Sequence, residues 1–410
     1  MLKFHGKTIY EALGRESVHP FPARMAPGIA LQVMADTNES MRVLDPMMGS
    51  GTVLAMARSL GHRGISYDID PLAVLISKVW TTAFDLEKVR ESAREVLDTA
   101  RTIFKSLPQG EAYLANSDDE TRAFIHYWFD GYARRQLASL SWAINLVNCE
   151  GTRDALWCAF SRLIITKQYG ASLAMDLSHS RPHRAFTRAP AKPFRMFLSA
   201  VERVVGNVID KNSPSRGPAP SVCLGDARNM PVESDSVHLV LTSPPYLNAI
   251  DYVRCSKFSL VWMGYSIVEL RQLRTDSIGT EAGADSPLDD PEIRAIMDAL
   301  NVRHSMAPRH QRILGRYIDD MRCAIREVAR VLSHSGKAVY VVGENTLRGA
   351  YIKTSAIVSR LAELSGLTEQ ERRTRALPAN RRYMPPPVSR HRVGTMNARM
   401  RREVVLTFAK

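Results

Sequence analysis

MRVLDPMMGSGTVLAMARSL, residues 41–60, runs from a short apolar stretch through a glycine pair into a helix-forming stretch. Val43 and Leu44 read as the end of a buried strand. Asp45 and Pro46 follow at once, Gly49 and Gly51 bracket Ser50, and a helix is expected from Thr52 onward. Strand, glycine loop and helix together form the unit that holds nucleotide-like ligands beyond the carboxyl ends of strands. Glycine lets the backbone approach a ligand where a Cβ would clash. There is no GxxxxGK[ST], so the phosphate cradle of a nucleoside triphosphatase is not indicated. In GISYDIDPLAV, residues 64–74, a second short strand ends at Asp68. An acid at such a strand end accepts hydrogen bonds from both hydroxyls of a ribose. Asp70 before Pro71 reads as a helix N-cap with proline in the first turn. Ligand contact is therefore assigned to Asp68 and capping to Asp70, although either carboxylate taken alone fits both roles.

A third strand end stands further along. Val237 to Leu241 is almost all apolar and runs straight into TSPPYLNAIDY, residues 242–252. Neither proline can donate a backbone hydrogen bond, so the sheet ladder ends there in a rigid, donor-poor corner. Upstream, Asp226 follows the apolar residues of VCLGD.

DPMMGSGT followed by YDIDP resembles the first two motifs of S-adenosylmethionine-dependent methyltransferases with a Rossmann-like sheet. TSPPY resembles the catalytic tetrad [D/N/S]PP[Y/F/W] of those that act on exocyclic amines. The serine form preceded by threonine is most similar to DNA cytosine-N4 methyltransferases. The resemblance implies that Asp45, Gly49 and Gly51 surround the methionine part of S-adenosylmethionine, with Pro46 and Thr52 also binding the cofactor. It also implies that Asp68 holds the ribose and that Ile69 packs on the adenine. Asp226 corresponds to an acid that contacts the adenine amino group, and it equally suits a cap of the following turn. HPFPARMAP, residues 19–27, resembles the segment before the glycine loop in one circular arrangement of these enzymes, which sets Phe21 against the cofactor. A core phenylalanine in a proline-rich connector is the alternative. Met47 departs from the aromatic that many DNA amino-methyltransferases carry there. A related loop occurs in RNA guanine methyltransferases, so the glycine motif does not choose the substrate.

The residue types suit the chemistry. An aromatic exocyclic amine is a poor nucleophile, because its lone pair is delocalised into the ring. Two acceptors on its N–H groups draw it toward a tetrahedral geometry. By the resemblance these are the Ser243 hydroxyl and the Pro244 carbonyl, with Pro244 and Pro245 stiffening the turn and Tyr246 stacking on the base. Fixed acceptors of this kind are the pre-organisation on which electrostatic catalysis depends. A base inside a duplex is out of reach, so its nucleotide must be flipped out. The amine then attacks the methyl group in line, with no covalent enzyme intermediate.

Lysine and arginine number 55 against 42 acids, a formal charge of +13. This favours a polyanionic partner, without excluding a merely basic enzyme. The five cysteines are scattered with no CxxC pair, so small core residues, a reduced cytoplasmic setting and no cysteine-bound metal are expected. No apolar run approaches the ~20 residues of a membrane span, and the first residues lack a secretion signal.

The chain divides into residues 1–81, the first part of the core with the cofactor loop; 82–216, a helical insertion and candidate DNA-recognition region; and 217–410, the second part with the SPPY corner and the final strands. LEKVRESAREVLDTARTIFKSL and DGYARRQLASLSWAINLV carry helical apolar spacing. Tyr127, Trp128, Tyr132, Trp142 and Trp157 read as core. SHSRPHRAFTRAPAKPFR, residues 178–195, reads as an extended basic loop in which Arg181, Arg184 and Arg188 suit backbone phosphates. A solvated charged loop is the rival. Residues 270–315 read as polar and mobile, 317–336 as an amphipathic helix with a glycine stop, and KAVYVVGEN as a buried strand. RRTRALPANRRYMPPP reads as a second basic loop, with Arg381 and Arg382 as phosphate contacts, before the final strand EVVLTF.

The expectation is an α/β, Rossmann-like methyltransferase with a mostly parallel sheet and a large helical insertion, acting on cytosine N4 in DNA. Adenine N6 in DNA and guanine N2 in RNA are alternative acceptors. An inactive methyltransferase fold that binds nucleic acid is a rival of another class. A restriction endonuclease partner, the recognition sequence and the oligomeric state stay open.

Overall fold

Five strands form the parallel part of one sheet. In the computed structural model these are β1 (Arg42–Asp45), β2 (Arg63–Asp68), β3 (Ser221–Leu224), β4 (Val237–Thr242) and β5 (Leu332–Gly343). Two further strands, β6 (Thr368–Ala376) and β7 (Arg402–Ala409), complete a seven-stranded sheet in the order β6-β7-β5-β4-β1-β2-β3. Strands β5, β4, β1, β2 and β3 are mutually parallel, with β3 at the edge, and β7 enters antiparallel between β5 and β6. The structure describes residues 6–21, 24–35, 39–108, 110, 112–114, 117–166, 169–175, 177, 182–213, 217–247, 252–281, 288–301, 306–347, 350–377 and 402–410.

Strands covered on both faces are expected to be apolar throughout. Val43, Leu44, Val240 and Leu241 are all fully buried. Helices α1 (Pro27–Met34), α2 (Thr52–Ser59) and α3 (Pro71–Thr81) connect or flank the first strands. Asp70 caps α3 as expected, its Oδ1 accepting from the Leu72 amide at 2.9 Å, with Pro71 at the first helical position.

The segment 82–216 carries α4 (Leu86–Ser106), α5 (Asp119–Trp128), α6 (Gly131–Asn145), α7 (Glu150–Ile164) and α8 (Pro193–Val205). Its core is continuous with that of the sheet's own helices. Leu137, Phe160 and Phe197 join one buried cluster with Leu72, Ile76 and Trp80 of α3. Its two ends meet in a short parallel pair, Ala83 with Ile209 and Phe84 with Asp210.

Several expectations are corrected. Tyr127 and Tyr132 are about half exposed, at 52% and 51%, and are not core; Trp157 is buried. Their rings are covered by cations, Arg184 at 5.3 Å from the Tyr127 centroid and Lys192 at 5.4 Å from that of Tyr132. The basic stretch is extended only in part, since α8 starts at Pro193 and takes in Arg195. After α9 (Tyr252–Leu260), the region 270–315 read as polar and mobile takes in the end of helix α10 (Ile267–Asp276) and all of α11 (Pro291–Ala299). The amphipathic helix α12 spans Pro308–Val331, earlier at both ends than read. Gly336 is no helix stop but lies inside β5, because Leu332 already pairs with Val237. Arg372–Ala376, read as loop, belongs to β6. Of the cysteines, Cys158 and Cys255 are buried and Cys149 is exposed. Among the described residues no helix is long and apolar enough to cross a membrane.

Candidate active site

The strand order reverses at β1. The chain runs from β1 outward to β2 and β3 on one side, while β4 and β5 lie on the other. A parallel α/β sheet opens a crevice at such a switch point, outside the carboxyl ends of its strands. Asp45 ends β1, Asp68 ends β2, and Ser243 follows β4. The three motifs therefore share one edge of the sheet.

The glycine loop is shaped by backbone that side chains disfavour. Gly49 has φ +50° and Gly51 has φ +81°. A Cβ on Gly51 would stand 2.9 Å from Ser77 Cβ. A Cβ on Gly49 would meet Phe21 Cε1 at 3.5 Å, so Phe21 borders the loop. Phe21 is itself buried and stacks on Tyr252, with centroids 5.7 Å apart and planes 7° from parallel. Asp68 ties loop to strand: its Oδ2 accepts from the Gly49 amide at 2.8 Å and its Oδ1 from the Asp70 amide at 2.9 Å. Pro46 and Thr52 are buried, while Ile69 keeps part of its surface open.

Asp45 is buried between the two motif strands. Its Oδ1 accepts from the Thr242 hydroxyl at 2.8 Å and from the Met47 amide at 3.2 Å. Thr242 was read only as the neighbour of Ser243. The bond makes it the physical link between the glycine loop and the SPPY corner. Pro244 is buried, and Ser243, Pro245 and Tyr246 are half-buried. Among the described residues the Ser243 hydroxyl has no hydrogen-bond partner. Two anchors of the corner were missed by sequence reading. Tyr317 of α12 donates its hydroxyl to the Pro245 carbonyl at 3.3 Å, and Tyr246 donates to Glu403 of β7 at 3.2 Å. Nothing in the local sequence marks residues so distant along the chain as neighbours of Tyr246.

Three carboxylates crowd the strand ends. Burial pushes Asp45 up to about 7, with the nearby Asp68 adding to it against the Thr242 and Met47 hydrogen bonds. Burial, and then Asp68, push Asp70 up to about 7. Burial also raises Asp68, against the amides that bond it. Burial, and for Asp70 the neighbouring Asp68, leads each of these shifts. A buried negative cluster of this kind suits a ligand that brings its own positive charge.

Asp226 lies two residues beyond β3, in a turn. Its carboxylate accepts from Arg228 Nε at 3.0 Å and from Arg228 Nη2 at 2.6 Å. Arg228 also pairs with Asp320 at 2.5 Å; burial pulls its pKa down, but the hydrogen bonds and charges of Asp226 and Asp320 outweigh burial and hold it above the ordinary range. Asp226 is therefore engaged by a salt bridge, with about a third of its side chain open. Arg184 and Arg188 are exposed on the insertion. Arg181, Arg381 and Arg382 lie outside the described residues, as do Asn248 and Asp251 of the stretch after the corner.

No protein-family model matches the chain. It is 22% identical over 411 residues to the Type II methyltransferase M.MvaI of Kocuria varians, covering 95% of this chain and 89% of that protein. It is 22% identical over 378 residues to the Type II methyltransferase M.AvaI of Nostoc sp. strain PCC 7120, covering 80% and 74%. M.BsoBI of Geobacillus stearothermophilus, also a Type II methyltransferase, shares 21% over 287 residues, covering 65% and 56%. Among solved structures, an rRNA methyltransferase, aviRa of Streptomyces viridochromogenes, aligns over 98% of this chain and 93% of that one with a TM-score of 0.30 and 9% identity, a likeness too weak to build on. Glycine loop and carboxylate cluster fit S-adenosylmethionine, whose sulfonium and ammonium carry positive charge. The fold and its relatives mark the chain as a Rossmann-like methyltransferase with S-adenosylmethionine as methyl donor.

Proposed function

We propose that the protein is a site-specific DNA methyltransferase that modifies the exocyclic N4 amine of a flipped-out cytosine. The observation that carries this reading is the 2.8 Å bond from Thr242 to Asp45, which ties an amine-accepting corner to the cofactor loop. Its relatives along most of the chain are Type II methyltransferases, which supports DNA as the substrate.

S-adenosylmethionine, when bound, supplies an electrophilic methyl group on a sulfonium. The chain holds that ligand through Asp45, Asp68 and the backbone of Gly49 and Gly51, with Phe21, Pro46, Thr52, Ile69 and Asp226 around it. Ser243 Oγ and the Pro244 carbonyl accept the two amine hydrogens and turn the nitrogen lone pair out of conjugation. Pro245 keeps that carbonyl from swinging away, and Tyr246 offers a face for the base to stack on. Arg184 and Arg188, with Arg181, Arg381 and Arg382, bind backbone phosphates.

The test is methyl transfer from labelled cofactor into matched DNA and RNA, followed by hydrolysis and identification of the nucleoside. N4-methylcytosine is expected. Label only in N6-methyladenine moves the acceptor, label only in methylguanosine moves the substrate to RNA, and no label in either nucleic acid rejects the reading.

A further inference from the structure

Within the SPPY corner, Tyr246 has the most demanding geometric task, because a stacking platform must hold its plane. Its hydroxyl donates to Glu403 Oε1 at 3.2 Å, across 157 positions of sequence. Glu403 stands on β7 directly opposite Arg375 of β6 in the antiparallel register. Arg375 Nε lies 3.2 Å from Glu403 Oε2, and the two side chains are only 16% and 14% exposed. A carboxylate this enclosed is tolerated where a cation and a hydrogen-bond donor face it. Arg375 is the cation and Tyr246 is a donor. An edge strand pair with no part in the glycine loop thus reaches the catalytic corner.

We propose that Glu403 is a positioning residue for Tyr246, a reading that rests on the base-methylation function above. Its carboxylate holds the tip of the phenol ring, Arg375 holds the carboxylate, and the ring plane is set before the base arrives. A platform fixed in advance spares the ordering that a swinging ring would need at the moment of stacking. Glu403 touches no reacting atom and acts only through Tyr246.

The first arm of the test needs no DNA. 3-Fluorotyrosine is placed at position 246 of the full chain and read by fluorine NMR. Glu403→Ala should move the resonance, while Glu403→Gln should leave it near its original position, because the amide oxygen still accepts. Glu403→Met combined with Arg375→Met removes the acceptor without stranding a buried cation, and should move the resonance in a chain that keeps its packing. In the second arm, Glu403→Ala and Tyr246→Phe should each lower kcat about tenfold, as expected for loss of a charge-assisted hydrogen bond. Cofactor affinity by calorimetry should not change, Glu403→Gln should recover most of the rate, and the double variant should fall no further than the worse single one. An unmoved resonance in both acceptor-free variants, or single losses that multiply in the double variant, overturns the proposal. If the unaltered protein methylates no DNA, the functional reading fails, while the fluorine arm still decides whether Glu403 holds the ring.

Discussion

Ser243 was legible as a catalytic candidate because TSPPY resembles the amine-methylating tetrad and shares the chain with DPMMGSGT and Asp226; alone the stretch reads as a turn after a strand. Its half-buried hydroxyl, without a partner among the described residues, suits an acceptor kept for a ligand. Ser243→Ala should lower turnover about a hundredfold, the scale seen when one pre-organised polar group is removed from a transition state. Cofactor affinity by calorimetry should stay as it was; unchanged turnover would remove Ser243 from the mechanism. Asp45 makes a different prediction. Its pKa is raised to about 7 in the folded chain, so it takes up a proton more readily folded than unfolded. Its contribution to stability is full below the unfolded value and is lost as pH rises through about 7. Without added cofactor, the melting temperature should therefore fall between pH 5 and pH 8. Asp45→Asn, which keeps an oxygen for Thr242, should flatten that fall in scanning calorimetry, and an unaltered slope would assign the effect elsewhere. The sequence placed Asp45 beside the ligand; it held no sign that the carboxylate is spent on Thr242.

At the level of elements, strands with strong apolar runs and caps with proline were readable, and β1, β2, β4 and α3 stand close to where they were expected. The errors fall where tertiary pairing overrides local pattern. Gly336 looks like a helix terminator, yet β5 takes it in because its neighbours pair with β4. Arg372 and Arg373 look like loop, yet they alternate along β6 against the apolar residues of β7. The helix α2 depends on the strained turn ahead of it. Gly51→Ala must resolve both a positive φ and a contact with Ser77, so it should destabilise the fold by about 1–3 kcal/mol. Thr242→Val leaves Asp45 Oδ1 with only the Met47 amide at 3.2 Å and should cost about 0.5–1.5 kcal/mol. Urea denaturation measures both losses. A Thr242→Val protein as stable as its parent would mean that the bond between the two motifs adds nothing.

For the molecule as a whole, composition gave the sign of the partner but not its seat. The excess of 55 basic over 42 acidic residues argues for a polyanion. Reversing Arg184 and Arg188 to glutamate should weaken DNA binding across all sequences and shallow its dependence on salt, while cofactor affinity stays fixed. An unchanged salt slope would make that loop a bystander. The architecture was legible because glycine loop, acid and SPPY corner each follow a strand, which orders them along one sheet edge. How the helices of residues 82–216 dock was not legible, because amphipathic spacing gives each helix a buried face without naming its partner. Their entry and exit meet at Ala83–Phe84 and Ile209–Asp210. Because the excursion departs and returns at a single doorway, lengthening its outer loops leaves β2 and β3 neighbours, whereas altering its helices reaches α3 through the core they share.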